Sequence, residues 1–465
     1  MQALNTEGVS VETIQTAPAH TGVGLQRGVL SPLETLAQSI AGIAPSATPG
    51  MLIPIVFSFA GNGSWLSYLL ATVGILFTAR CINEFASRSA CPGSLYSFVN
   101  QSMGRKAGML TGWALLFAYI FCGAACVVEF ALYAGSLIKH SLHLEISSQL
   151  MMLVSSLTVG FVAYKNVKLS ASLMLKLEIL SVGLILLVVG LTLWQHGISP
   201  DWQQLSLQGV KFENVRMGLV MAIFGFVAFE SAASLGTEAK EPLRTIPRAI
   251  MQSVIFSGAF FMVSSYAMVM SFHGSSIPLD KCSTPLLSMS SIVGVPLLGH
   301  IIDAGIMVSF FAAGLANLNA GARALFKMSH DGLLHNRFSN CHSENQTPHV
   351  AVWISSAISL TIAVLLSTLN TTLMDIVGWL GTLATFGFIY AYMATSISAA
   401  KLLKEQNQLS FLKASTVCAS AAVLVFALVG SLYPLPAFPY NILPLIFSAY
   451  MMVGVLYLRR LRLNS

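Results

Sequence analysis

Charge is what this sequence has least of. Only 9% of its 465 residues are Asp, Glu, Lys or Arg, against roughly 25% in a soluble domain. That deficit excludes a soluble enzyme of this length. The net charge of +6 does not point to nucleic acid, because the basic residues are scattered at the ends of apolar runs, where they orient a membrane protein. Cysteine is scarce and odd in number, with seven residues (81, 91, 122, 126, 282, 341 and 418) and no metal or disulfide spacing. Most of these lie in or beside apolar segments, where Cys behaves as a small hydrophobe. The first 26 residues lack a basic region followed by an apolar one. They read as a flexible cytoplasmic tail and not as a signal peptide.

What is abundant is apolar sequence, 55% of the chain. Runs long enough to span a bilayer fall near 33–58, 65–86, 107–138, 148–165, 169–194, 215–237, 248–272, 292–328, 349–369, 372–398, 412–432 and 438–458. No large soluble domain fits between them, so residues 27–465 read as one all-α membrane domain of twelve transmembrane helices. Lys and Arg concentrate in the connections on one side, which places both termini in the cytoplasm.

The first run contains GIAPSATPG at 42–50. Two prolines and two glycines in nine residues break an ordinary helix. Such a break is tolerated at membrane depth only where it faces protein or a water-filled cavity. Secondary transporters place such breaks in pairs, one in each half of an inverted repeat. Five runs later, FGFVAFESAASLGTEAKEP at 224–242 carries Gly225, Glu230, a Ser/Ala-rich stretch and Gly236. The spacing predicts a five-plus-five repeat over 33–194 and 215–398, with two added helices over 412–458.

Three further stretches carry a family likeness: NEFASRSACPGSLYSFVNQSMGRKAGMLTGW (83–113), FVAFESAASLGTEAKEPLRTIPRAI (226–250) and NAGARALFKMSHDGLLHNRF (319–338). With the first break they resemble the amino acid–polyamine–organocation (APC) superfamily of transporters, in the right order and over nearly the whole chain. The resemblance implies a LeuT-like fold with helices 1 and 6 broken. It also implies an amino acid or amine bound between the breaks. Three positions depart from the family pattern: His330 replaces Arg, His335 replaces Pro, and Ala228 replaces a common Gly.

The expected site follows from the breaks. Free N–H groups of Ser46, Ala47 and Thr48 suit a carboxylate. Carbonyls of Gly42, Ile43 and Ala44, and those near Phe224 and Phe226, would accept from an ammonium. Either Phe is a candidate outer gate or ordinary apolar packing. Glu230 has two roles open to it, proton carrier or acceptor that holds the second break open. On the third run Tyr119, Cys122, Cys126, Glu129 and Tyr133 share one helical face. Cys122 and Cys126 there would line the cavity, and Glu129 would favour a cationic substrate or line the outer vestibule. The resemblance further places a lysine, here Lys176, where sodium-coupled relatives hold sodium beside the first and eighth helices. The alternative for Lys176 is snorkelling to the cytoplasmic face.

These features predict a secondary transporter, not an enzyme, with no metal or cofactor. It would move an amino acid or related amine by alternating access through a plasma membrane, a bacterial inner membrane. Proton coupling without sodium is the first expectation and substrate exchange the alternative, with a transporter-like nutrient sensor behind both. Expected partners are the small-molecule substrate, protons and the lipid bilayer, and no nucleic acid. The connection from Lys139 to Ser147 has no Cys, so the resemblance implies no disulfide-linked heavy subunit, and the protein would be a monomer or homodimer.

Overall fold

A computed structural model describes residues 24–197, 200–282, 284–433 and 435–463. The tail expected over 1–26 therefore lies outside the described residues up to position 23. From there Leu25 is already buried and Gln26 Nε2 donates to the Asn345 carbonyl, so the chain packs on the domain before the expected boundary.

The described residues form helices and connecting turns, with one isolated β-bridge between Leu30 and Ala239. In chain order the helices are α1 (Pro32–Ile43), α2 (Ile53–Ala60), α3 (Ser64–Ala86), α4 (Ser94–Met103), α5 (Arg105–Leu142), α6 (Ser148–Lys165), α7 (Val167–Gln195) and α8 (Trp202–Leu205). They continue as α9 (Phe212–Phe224), α10 (Pro242–Ser271), α11 (Pro285–Ile292), α12 (Pro296–His330), α13 (His349–Ser367), α14 (Leu373–Glu405), α15 (Phe411–Leu432) and α16 (Leu443–Leu463). Among the described residues nine stretches are long and apolar enough to cross a membrane. The first, Pro32–Ala86, runs through the break after α1 and includes α3.

Local chemistry sets where these helices start. Ser31 and Glu34 form a reciprocal capping box at α1, with Pro32 in the first turn. The Asn166 side chain accepts from the Lys168 amide to start α7, and Thr372 caps α14 by accepting from the Asp375 amide.

Packing organises the bundle around α5 and α12, which lie against each other and against α14, α7 and α13. Small residues allow close approach: a Cβ at Gly321 of α12 would sit 3.1 Å from Tyr119 Cβ of α5. Between α6 and α13, Ser156 and Ser356 contact reciprocally. Their hydroxyls lie 3.0 Å apart, and each hydroxyl also reaches the other residue's carbonyl, at 3.4 and 3.2 Å.

Two of the stretches that carry the family likeness meet where α4 lies beside the end of α12. The Tyr96 hydroxyl donates to Asp331 at 2.7 Å, and Lys327 holds the same carboxylate at 2.6 Å. Burial, with Asp331 second, pushes the Tyr96 phenol well above its usual range. His335, in the place of the usual proline, caps a short 3-10 turn by accepting from the Arg337 amide.

Candidate functional site

The first break opens where α1 ends. Ala44 takes the left-handed conformation at φ 52°, and Pro45 follows without an N–H to donate. The chain then turns through Ser46 into a π-helical segment, Thr48–Leu52, before α2 resumes. The Ala44 amide returns to Ile40 and Ala41, and the Ala47 amide to the Ala44 carbonyl. The Ser46 amide and the Gly42 and Ile43 carbonyls have no hydrogen-bond partner among the described residues. These are among the backbone groups that the sequence marks for a zwitterion.

The second break follows α9. Gly225 and Phe226 close tight turns onto Ala222 and Ile223. Ala228 is left-handed at φ 63°, where a residue with a Cβ is held only by its surroundings. A 3-10 turn over Ser231–Leu235 leads towards α10.

Side chains and backbone join the two breaks. Ser231 Oγ donates to the Gln38 carbonyl at 2.9 Å, and the Ala232 amide donates to Ser39 Oγ at 3.2 Å. A Cβ on Gly42 would lie 2.8 Å from both the Ala228 carbonyl oxygen and Ser231 Oγ. Gly225 similarly faces Thr48 Oγ1, 3.3 Å from where its Cβ would stand. The glycines are what let the interrupted segments touch.

Glu230 is fully buried within the second break. Tyr119 of α5 donates to one carboxylate oxygen at 2.7 Å, and Tyr392 of α14 donates to the other. Tyr392 Oη also accepts the Ala228 amide at 3.0 Å. The carboxylate thus ties the break to α5 and α14. Tyr119→Phe and Tyr392→Phe are each expected to lower stability by about 1–3 kcal/mol, the cost of leaving a buried polar group unsatisfied. Denaturant unfolding of the two variants checks this.

The shared face of α5 lies along both breaks. Cys126 packs with Ala44, Ala47 and Ala313, and Tyr133 Oη stands 2.9 Å from where a Gly50 Cβ would sit. Cys122 is half-buried, one turn before Cys126. Glu129 is buried and makes no hydrogen bond or ion pair among the described residues. Phe226 is fully buried with its ring edge-on to Phe261 at 5.2 Å, whereas Phe224 is half-buried.

Lys176 stands elsewhere than expected. It is exposed on α7, and the turn of the helix puts Glu178 on the inner face instead. Glu178 is 4% exposed and accepts from Ser309 of α12 at 2.9 Å. One turn further on, Ser181 contacts Ser46 in the first break. The sequence reading passed over Glu178, although its two-residue offset from Lys176 put the pair on opposite faces.

At the end of the bundle that holds the start of α1, the site is sealed. Glu238 and Arg323 form a bidentate pair at 2.6 and 2.7 Å, with Arg323 only 1% exposed. Asn319 accepts from Arg323 through its carbonyl at 3.0 Å and in turn donates to Ser170 at 2.7 Å. The segment before α1 closes over this pair, as the Val29 and Leu30 amides donate to the Glu238 carbonyl and the Lys240 amide donates to the Leu30 carbonyl.

Known proteins are similar to this chain in sequence. The branched-chain amino acid permease BcaP of Bacillus subtilis is 25% identical over 371 residues, 75% of this chain and 76% of that protein. Mouse cationic amino acid transporter 4 is 27% identical, covering 81% of this chain and 60% of that protein. The low-affinity putrescine importer PlaP of Escherichia coli is 24% identical over 63% of this chain and 65% of its own length. Among solved structures, a Na+-coupled sialic acid symporter superposes with a TM-score of 0.57 at 11% identity, covering 88% of this chain and 91% of that one. That likeness is one of fold alone. The family model for amino acid permeases matches residues 35–458, and the chain belongs to the amino acid permease family.

Proposed function

We propose that this permease is a secondary active transporter that binds an amino acid or related amine between its two helix breaks and carries it by alternating access. The observation that carries this reading is the pairing of the breaks. The unsatisfied Ser46 amide and the Gly42 and Ile43 carbonyls present donor and acceptor backbone groups within one turn, beside a second interruption held open by Glu230. The two ends of an α-amino acid complement that arrangement. The free Ser46 amide faces the carboxylate, with Thr48 beside it, and the Gly42 and Ile43 carbonyls and the Phe224–Phe226 backbone face the ammonium; the expected Ala47 amide and Ala44 carbonyl are instead bonded to each other. Cys122 and Cys126 line the side-chain end. Glu129 is placed to favour a cationic or amine-bearing substrate.

Twelve spans in a five-plus-five inverted repeat are part of the proposal. The count takes Pro32–Ala86 as two spans and adds α6 and the interrupted α9 segment to the other apolar stretches. The reciprocal Ser156–Ser356 contact between α6 and α13 is what a two-fold relation between the halves would produce. In this scheme α1–α3, α9 and α10 rock against α5, α6, α12 and α13, both termini are cytoplasmic, and the membrane is the plasma membrane. The coupling ion is the proton, sodium plays no part, and the protein works as a monomer or homodimer.

The test is uptake into proteoliposomes loaded with unlabelled amino acids, using labelled lysine, arginine, alanine, glutamate, γ-aminobutyrate, ethanolamine and putrescine. Accumulation driven by an inward proton gradient without sodium is expected. Uptake that needs only internal substrate would make the protein an exchanger. Binding without any movement would replace the transporter with a sensor.

A further inference from the structure

Four carboxyls stand within the helices that cross the bundle at α5, α7, α12 and the second break: Glu129, Glu178, Asp303 and Glu230. Glu230 is satisfied on both oxygens by tyrosine hydroxyls. Asp303 lies in the second turn of α12, near its outer end, and is half-buried. Glu178 is different. It is 4% exposed, one oxygen accepts from Ser309, and its Oε2 is buried with no hydrogen-bond partner among the described residues. No other buried carboxylate oxygen among them is left in that condition. A buried, unpaired oxygen on an acidic group calls for a missing occupant.

The position of Glu178 indicates what that occupant is. α7 packs against α1, α6, α10, α11 and α12. The charged or titratable groups on those helices include Glu34, Lys165, Arg248, Asp303, Arg323 and Lys327. None makes a hydrogen bond or ion pair with Glu178 among the described residues. None of these cations therefore neutralises it. A metal cation would need a shell of several oxygens, whereas among the described residues no group of three His, Cys, Asp or Glu side chains could hold one, and the Ser46 and Ser181 hydroxyls a turn away are spent on each other. A proton needs one oxygen, and Oε2 is free.

We propose that Glu178 is the proton-binding group of this carrier, resting on the transporter reading above. A proton taken from the outer solution binds Oε2 and neutralises the side chain while α7 is packed on α12. When the cytoplasmic seal opens and α1 swings with it, the Ser46–Ser181 contact parts and water reaches Glu178. The proton then leaves to the cytoplasm. Glu178 lies about 16 Å from the start of α7 at 1.5 Å per residue, deep enough that hydration requires that movement.

The experiment uses the full chain in proteoliposomes carrying a pH-sensitive dye in the lumen. Counterflow at equal pH and accumulation under an inward proton gradient are compared for wild type, Glu178→Gln, Glu178→Asp and Ser309→Ala. The expected result is that Glu178→Gln loses accumulation and lumenal acidification by roughly tenfold more than it loses counterflow, while Glu178→Asp restores both. Ser309→Ala is expected to move the pH midpoint of accumulation without removing it. That variant decides the matter if Glu178→Gln does not fold. The proposal is overturned if Glu178→Gln still accumulates and acidifies, if Ser309→Ala leaves the midpoint unmoved, or if the change falls on a sodium dependence instead. A wild-type chain that moves no substrate at all overturns the transporter reading beneath it, a separate and recognisable result.

Discussion

Arg323→Ala is expected to destabilise the protein by about 3–5 kcal/mol, the usual consequence of leaving a buried charge without its partner. Both members of the pair are at most 1% exposed, and Arg323 supplies two of its donors to Glu238 and a third to Asn319. Without the guanidinium, the Glu238 carboxylate faces a dry interior. Its cheapest escape is to pull away and admit water, which opens the seal. The first measurement is thermal unfolding of the purified variant against wild type.

The second measurement uses Cys341. It lies half-buried in the loop after α12, and burial pushes its thiol up to about 11. At neutral pH it therefore reacts slowly with maleimide while the seal holds. In Arg323→Ala the loss of the nearby cation raises the thiol further, so acceleration of its labelling, resolved from the other six cysteines by peptide mapping, is expected only through exposure as the seal opens. Unchanged labelling with lowered stability would mean that the pair holds the fold but not the gate. Arg323→Met combined with Glu238→Gln removes both charges and is expected to be more stable than Arg323→Ala alone.

Gly42→Ala is expected to slow transport by about one to two orders of magnitude, the kinetic equivalent of a 1–3 kcal/mol overpacking penalty. The added methyl would stand 2.8 Å from a backbone oxygen, that of Ala228, and a carbonyl in a left-handed turn has little room to retreat. Ser231 Oγ, the other near atom, is already committed to the Gln38 carbonyl. Gly225→Ala makes the useful comparison. Its nearest atoms lie at 3.3 Å, so a shift of a few tenths of an ångström accommodates it. Counterflow rates for the two variants, each checked for unfolding temperature, should rank Gly42→Ala well below Gly225→Ala. Equal rates would show that the breaks need not touch for transport.

The first break was legible because GIAPSATPG departs from helix chemistry residue by residue: Pro45 removes a donor, and Gly42 leaves space that the neighbouring segment fills. The second break was legible from Gly225, Gly236 and an acidic residue at depth. What the sequence could not convey is which partners a side chain finds across the bundle. Glu230 is met by Tyr119 and Tyr392, which are 111 and 162 residues away, and no periodicity within one helix reveals such a meeting. Lys176 shows the same limit. Its place on the exposed side of α7 depends on the rotation of that helix, and the family pattern pointed to the lysine and not to Glu178. Arg323 is one of the basic residues near the end of an apolar run, but its complete burial against Glu238 required the segment before α1 to fold over the pair.

The paired serines of α6 and α13 bear on origin. In the proposed repeat these helices are counterparts, and Ser156 does to Ser356 what Ser356 does to Ser156. A patch that is its own complement is the signature of an isologous interface between two identical subunits. A single gene encoding only the first five helices could have assembled as an antiparallel pair in the bilayer through this same patch, with no new contact to invent. Fusion of two copies would then have converted an encounter between molecules into a fixed seam within one, leaving the later halves free to diverge everywhere except where they meet on the axis.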